Sequence, residues 1–148
     1  MAKVEIDVNQ LPAGLTKKEF VNLPELKSQR SWFTWAGIVG IVTGVLGLVT
    51  LVPVFVALSQ GYTAQELDLN MGLITFYAIL ILAGLVLGIA LLATKDSKVA
   101  YALAVVGLLT AVLAVATGGT VGAGIIATIL AAFGAHKIDT LWKAYQAR

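Results

Sequence analysis

Few side chains in this sequence could carry out catalysis or bind a metal. His136 is the only histidine, and the chain contains no cysteine. One histidine without cysteine cannot supply the usual ligand set for zinc, nor two axial ligands for haem. Glu66 and Asp68 form an acidic segment, but no serine–histidine–acid grouping accompanies them. We therefore expect no catalytic residue, no cofactor and no metal site, and the sequence predicts a protein that is not an enzyme.

The elements that must hold these residues are strongly apolar. The 148 residues are 59% hydrophobic and only 12% charged, whereas soluble domains are about a quarter charged. No charged side chain occurs in 31–65, 69–94 or 99–135. Each run is at least as long as the roughly 20 residues with which a helix crosses a bilayer. The predicted fold class is an all-α integral membrane protein.

Four transmembrane helices account for the three uncharged runs. The third run is too long for one crossing, and its paired glycines at 117–120 are typical of a tight turn. The predicted organisation is a head at 1–31, a four-helix transmembrane bundle at 32–135 and an amphipathic tail at 136–148. The four helices are expected at about 32–58, 71–93, 99–116 and 121–135.

The charges predict the orientation of these spans. All ten Lys and Arg residues fall in the head, in the turn at 95–98 or in the tail, and the segment 59–70 has none. By the positive-inside rule both termini are then cytoplasmic. We expect a multi-pass protein of the cell membrane, and the small size and short loops favour a bacterial inner membrane. No basic stripe interleaved with aromatics indicates a nucleic-acid partner.

Aromatic residues near the predicted cytoplasmic boundary are candidate anchors at the membrane interface, where amphipathic rings are favoured. These candidates are Trp32, Trp35, Trp142 and Tyr145.

Small residues recur at steps of three and four along the predicted spans, which places them on one face of each helix. They are Gly37, Gly40, Gly44 and Gly47 in the first span, Ala100, Ala104, Gly107 and Ala111 in the third, and Gly124, Ala127, Ala131 and Gly134 in the fourth. Such faces allow helices to approach closely in lipid. The spacing fits two interpretations: packing within the bundle, or an outward docking face for another subunit.

The predicted spans contain hydroxyl groups but no ionisable side chain, which disfavours a proton-coupling site. Each threonine is expected to donate to a carbonyl three or four residues back on its own helix.

The head begins with an alternation of apolar and polar residues, Val4, Ile6 and Val8, which is the period of a half-buried strand. No second strand-like segment exists to pair with it. It is therefore a candidate for strand addition to a partner, or else a solvated terminus. Further along, Thr16 and Glu19 fit a capping box, and Asn22 offers a second helix cap.

The tail presents one apolar face, made by Ile138, Leu141, Trp142 and Tyr145 at helical spacing. Such a helix could lie on lipid headgroups, dock against a partner, or dock against the head of the same chain.

These features favour a non-catalytic accessory or scaffolding subunit of a larger membrane complex. The expected partners are lipid and either other membrane subunits or further copies of the chain. The alternatives are a homo-oligomeric channel or holin-like pore lined by threonines, and a small protective, immunity or regulatory membrane protein.

Overall fold

The computed structural model describes residues 6–67, 70–116 and 124–148. Within these ranges the protein is all-helical and contains no strand. The α-helices are α1 (Lys17–Val21), α2 (Lys27–Ser59), α3 (Met71–Thr94), α4 (Ser97–Ala116) and α5 (Gly124–Ala147), and two 3₁₀ turns lie at Val8–Gln10 and Pro24–Leu26.

Four of these helices, α2 to α5, are long and apolar enough to cross a membrane, which confirms the prediction of a multi-pass membrane protein. Helix α2 begins before the first predicted span, at Lys27, because the helix of the head runs directly into it. Helix α5 likewise continues through the predicted tail to Ala147. The predicted glycine turn at 117–120 lies outside the described residues.

The four long helices pack in a ring in which α2 contacts α3 and α5, and α4 contacts the same two helices. The chain alternates direction, since the start of α2 meets both the end of α3 and the second half of α5. Residues 6–30 and 136–148 therefore lie at one end of the bundle, which we call the terminal end. The opposite end, with the α2–α3 connection, is the far end.

The glycine face of the first span points into the bundle. All four of its glycines are buried; bulky side chains of α3 lie against three of them, and Leu103 of α4 lies against Gly40. A Cβ atom on Gly44 would lie 2.5 Å from Leu85 Cγ, and one on Gly47 would lie 2.8 Å from Ile81 Cδ1. The glycines thus form the holes that receive leucine and isoleucine of α3. The outward docking face that the spacing also allowed is not where the structure places these residues.

The backbones of α2 and α3 approach each other closely at Gly37 of α2 and Gly88 of α3. A Cβ on Gly37 would lie 3.0 Å from Gly88 O, and one on Gly88 would lie 3.1 Å from Gly37 O and 3.3 Å from Ile41 N. Contacts with backbone atoms cannot be relieved by a rotamer change. Only glycine fits at this crossing without moving a helix.

The small residues of α4 and α5 fall into two groups. Ala100, Ala104, Ala127, Ala131 and Gly134 are buried. Gly134 lies against α2, where a Cβ would be 2.8 Å from Trp32 Cβ. Gly107 and Ala111 of α4 are only partly buried, and Gly124 begins α5. The α4 and α5 faces therefore pack tightly toward the terminal end.

The Gly37–Gly88 crossing can be tested with a matched pair of substitutions on α3. Gly88→Ala should destabilise the bundle by about 1 to 3 kcal/mol, since the added methyl must push backbone away. Gly84→Ala, one turn earlier, meets nothing nearer than Val106 Cγ1 at 3.8 Å. It should leave the melting temperature in mild detergent unchanged or slightly raised. Equal melting temperatures for the two variants would show that the crossing is not tight.

Candidate functional site at the joined chain ends

The head folds locally around a capping box. Thr16 Oγ1 accepts a hydrogen bond from Glu19 N at 3.3 Å, and Glu19 Oε2 accepts one from Thr16 N at 2.7 Å. Hydrogen bonds from the Thr16 backbone and side chain lower the pKa of the Glu19 carboxyl. The predicted box is thereby confirmed, and it begins a helix, α1, that buries Phe20 and Val21.

The second predicted cap, at Asn22, is wrong. The Asn22 side chain donates back to Lys18 O at 2.8 Å, and Leu23 precedes the next 3₁₀ turn without a side-chain cap. Arg30 of α2 binds the backbone between α1 and the 3₁₀ turn. Its Nη1 donates to Val21 O at 3.0 Å and to Leu23 O at 3.3 Å. Arg30 thus satisfies two backbone carbonyls of this segment, which is a different role from the N-cap predicted for Asn22.

The apolar face of the tail packs against α1. The Phe20 ring lies 5.2 Å from the Trp142 ring and 5.1 Å from the Tyr145 ring, and these two stack on each other at 5.5 Å. Phe20 and Ile138 are fully buried and Tyr145 is 6% exposed. Trp142 and Tyr145 therefore pack against the head of the same chain. Docking of the tail on the head was one of the three predicted alternatives.

The Tyr145 hydroxyl links the tail to the segment before α1. It accepts a hydrogen bond from Leu15 N at 3.1 Å and donates a short one to Pro12 O. One side chain therefore satisfies both a donor and an acceptor of a loop that has no ladder or helix of its own.

Arg148 extends this link along the head. Its guanidinium donates to Val8 O at 2.8 Å, Leu11 O at 2.7 Å and Pro12 O at 3.1 Å, and it lies 4.1 Å from the Tyr145 ring centre. Such a fork of donors suits several carbonyls at once. Arg148 thus holds the backbone of residues 8–12 against the tail.

One ion pair adds to this contact: Lys17 Nζ lies 2.7 Å from Asp139 Oδ1. Both side chains are partly exposed, so the pair contributes no more than about 1 kcal/mol.

The predicted partner-binding strand does not form in the part of it that the structure describes. Val8 begins a 3₁₀ turn, Asp7 Oδ1 accepts from Asn9 N, and both Ile6 and Val8 pack against the core of the protein. The Val8 carbonyl that a partner strand would engage is already bound by Arg148. Val4 lies outside the described residues. This correction has a physical cause, since the tail supplies intramolecular partners that no sequence pattern reveals.

The remaining predicted anchors lie near the start of α2. Trp32 stacks on Phe133 with ring centres 5.7 Å apart, and Lys137 Nζ sits 4.8 Å from the Trp32 ring centre. Trp35 is 60% exposed on the bundle surface. Of the four candidates, Trp35 is the one with the greatest surface open to the interface.

Lys95 is a linking residue that sequence reasoning missed. It ends α3 in the left-handed conformation, with φ of 51°, and its Nζ donates to Thr34 Oγ1 of α2 at 3.0 Å. Burial, together with the nearby Arg30, lowers the pKa of the Lys95 ammonium group. An isolated lysine in a short turn gives no signal of this contact, which depends on the glycine crossing that brings α2 and α3 together.

Among residues 6–67, 70–116 and 124–148, no group of three or more His, Cys, Asp or Glu side chains could hold a metal ion. His136 is exposed on α5, and Glu66 accepts from Thr63 N at 2.8 Å within the far-end connection. Asp68 lies outside the described residues. The joined chain ends form a structural module in which Tyr145, Arg148 and Asp139 of the tail bind polar groups of the head.

In comparisons with known proteins, the chain matches no protein-family model, no curated protein and no solved structure. The described residues form a helical protein with four helices apolar enough to cross a membrane, and its residues 6–30 and 136–148 pack together at the terminal end of the bundle.

The role of the Tyr145 hydroxyl can be tested by Tyr145→Phe. The ring stays, but Leu15 N loses its partner and Pro12 O keeps only its bond from Arg148, which should weaken docking of the head by about 1 to 3 kcal/mol. We expect faster hydrogen exchange in residues 8–16 and unchanged exchange in α3. Tyr62→Phe is the matched control, because Tyr62 is 53% exposed in the far-end connection. Equal exchange in both variants would contradict the assigned role.

The capping box makes the head sensitive to acid. Because the pKa of folded Glu19 lies below the unfolded value of 4.5, its contribution is complete above pH 4.5 and is lost as pH falls through the folded pKa. Hydrogen exchange in residues 16–21, corrected for intrinsic rates, should therefore accelerate on acidification. Glu19→Gln keeps an uncharged acceptor and should show a smaller acid effect, whereas Glu25→Gln should behave like the unaltered protein. The same acid response in Glu19→Gln would count against the box.

Proposed function

We propose that this protein is a non-catalytic accessory or scaffolding subunit of a larger membrane protein complex. One observation supports this most directly: the two chain ends fold on each other into a single preformed module at one end of an apolar bundle. Rigid docking surfaces lose little conformational entropy on binding, so such a module suits recognition better than reaction.

We also propose that the terminal end is cytoplasmic, in a cell membrane of the bacterial inner-membrane type. The contact between Arg148 and Val8 supports a common side for the two ends of the chain. That side carries the lysines and arginines of the head, the 95–98 turn and the tail, whereas the far-end connection has none. The positive-inside rule then orients the bundle.

Two further observations favour a scaffold over a homo-oligomeric channel or holin-like pore. Thr43 and Thr110 line the interior of the bundle and donate to carbonyls of their own helices, so they are not available to line a pore between protomers. The outer surface of α2 is instead aliphatic, with Val42, Val45 and Val49 each about half exposed. A water-filled path along such a surface would lack polar lining.

The proposal is tested by affinity purification of the tagged protein from its native membranes in mild detergent, followed by mass spectrometry. We expect larger membrane proteins to co-purify stoichiometrically. The double variant Tyr145→Phe, Arg148→Ala should insert normally but recover less of them, because the module opens. Tyr62→Phe should recover the same amount as the unaltered protein.

Purification of the chain alone would overturn the accessory role. Leakage from liposomes that contain only this protein would then support the pore. Full recovery of partners with the double variant would show that they bind the transmembrane surface and not the module.

A further inference from the structure

A cavity of about 270 Å³ lies between the four long helices in the half of the bundle nearer the far end. Its walls come from all four helices, and small residues dominate where α2 and α4 face each other. Those small residues are Gly40, Gly44, Gly47, Gly107, Ala111 and Ala114.

The cavity exists because packing is uneven along the bundle. Helix α4 buries Ala100, Leu103 and Ala104, but no residue from 105 to 116 is buried. Small side chains there do not reach across to α2. Closer to the terminal end, Phe33, Leu91 and Leu103 are buried and close the space. The cavity is not fully enclosed, since its lining residues Leu46 and Thr50 are exposed.

The hydroxyl groups of the threonines in the wall are satisfied locally. Thr43 donates to Val39 O at 2.8 Å, Thr50 to Gly47 O at 2.6 Å and Thr110 to Val106 O at 2.8 Å. These bonds leave little in the wall that would hold water. An apolar cavity of about 150 Å³ in a protein stays dry and takes up benzene. Benzene places about six carbon atoms in about 150 Å³, so a cavity of about 270 Å³ has room for about ten carbon atoms.

Tyr77 is the exception among the hydroxyl-bearing residues of the wall. Within the described parts of the chain its hydroxyl has no hydrogen-bond partner, although the residue is partly buried in a membrane-spanning helix. An unsatisfied hydroxyl in a hydrocarbon environment is costly. It is therefore a donor available to a ligand that enters the cavity.

The depth of Tyr77 in the bilayer indicates which hydrogen-bond acceptor the ligand carries. Its Cα lies about 9 Å along α3 from Met71, at a rise of roughly 1.5 Å per residue. Since α3 exceeds the roughly 30 Å hydrocarbon core by a few ångströms at each end, the Cα is about 6 Å inside the core. Long side chains on a helix lean toward its N-terminus, which here is the far end. The hydroxyl thus approaches the boundary at which glycerolipids carry their ester carbonyls.

We propose that the cavity binds one fatty acyl chain of a bilayer glycerolipid and that the Tyr77 hydroxyl donates a hydrogen bond to the ester carbonyl of that chain. The surrounding solvent is itself hydrocarbon with ester groups at its edge, so no other molecule is needed to fill the space. Bound lipid would support α4 where the protein does not pack against it.

The test uses proteoliposomes of phosphatidylcholine that carries a diazirine in the middle of one acyl chain. After irradiation, mass spectrometry maps the labelled residues. We expect label on Leu80 and Leu103, which line the cavity and are 5% and 2% exposed, in addition to Val112, which is 59% exposed. Lipid on the outer surface of the bundle cannot reach the first two. Label confined to exposed residues such as Val112 would overturn the proposal.

A matched pair of variants on α4 tests whether the lipid occupies the cavity itself. Ala111→Phe fills the space and should abolish label on Leu80 and Leu103 while label on Val112 persists. Ala116→Phe adds the same ring at an exposed position and should change neither. Undiminished label on Leu103 in Ala111→Phe would show that the reagent reaches it by another route and would contradict the proposal.

A separate measurement tests the hydrogen bond from Tyr77, and it does not require the Ala111→Phe variant to fold. Label on Leu80 from an ester-linked lipid should exceed that from the ether-linked analogue by about fivefold, the factor for one net hydrogen bond. Tyr77→Phe should remove this preference and leave label from the ether lipid unchanged. Equal labelling by both lipids in the unaltered protein would exclude the assigned role of Tyr77.

Discussion

The bundle depends on the crossing of α2 and α3 at Gly37 and Gly88, where the two backbones come within contact distance. Lipid tails are as apolar as leucine, so helices in a membrane gain little from hiding apolar surface and must gain from dispersion at close range. Because Gly37 and Gly88 have no side chains, the two backbones can approach to that distance. It also brings Lys95, at the end of α3, within hydrogen-bond distance of Thr34, so the position of the α3–α4 turn follows from two glycines.

The terminal end contains large buried side chains and polar contacts instead of glycine crossings. There the hydrophobic effect acts, and Phe20, Ile138 and Tyr145 are buried as in a soluble core. Backbone groups of the head that lack a helix find partners in Tyr145 and Arg148. The module therefore resembles a small soluble domain built on the continuation of a membrane helix, and α5 belongs to both parts.

Much of the fold was predictable from the sequence, because long uncharged runs identify spans whatever their contacts. The capping box of Thr16 and Glu19 was predictable for a similar reason, as its partners are three residues apart. The direction of the glycine face was not predictable, because inward and outward faces have the same spacing. The direction depends on Leu85 and Ile81 of another helix. The Arg148–Val8 contact was also inaccessible, since its partners are 140 residues apart and neither position has a local pattern.

The uneven packing of the bundle bears on what the protein can do. A pore within one chain needs a continuous path, yet Phe33 and Leu91, which lie toward the terminal end from the cavity, are fully buried. The threonines that line the cavity are bonded to their own helices. Conduction would require these large side chains to leave a core whose α2–α3 spacing is fixed by backbone contact at Gly37. Two helices held together in this way move as one unit and resist separation. These contacts support the proposed scaffolding role over a pore, and they leave the half of the bundle with the cavity as the place where the proposed lipid would bind.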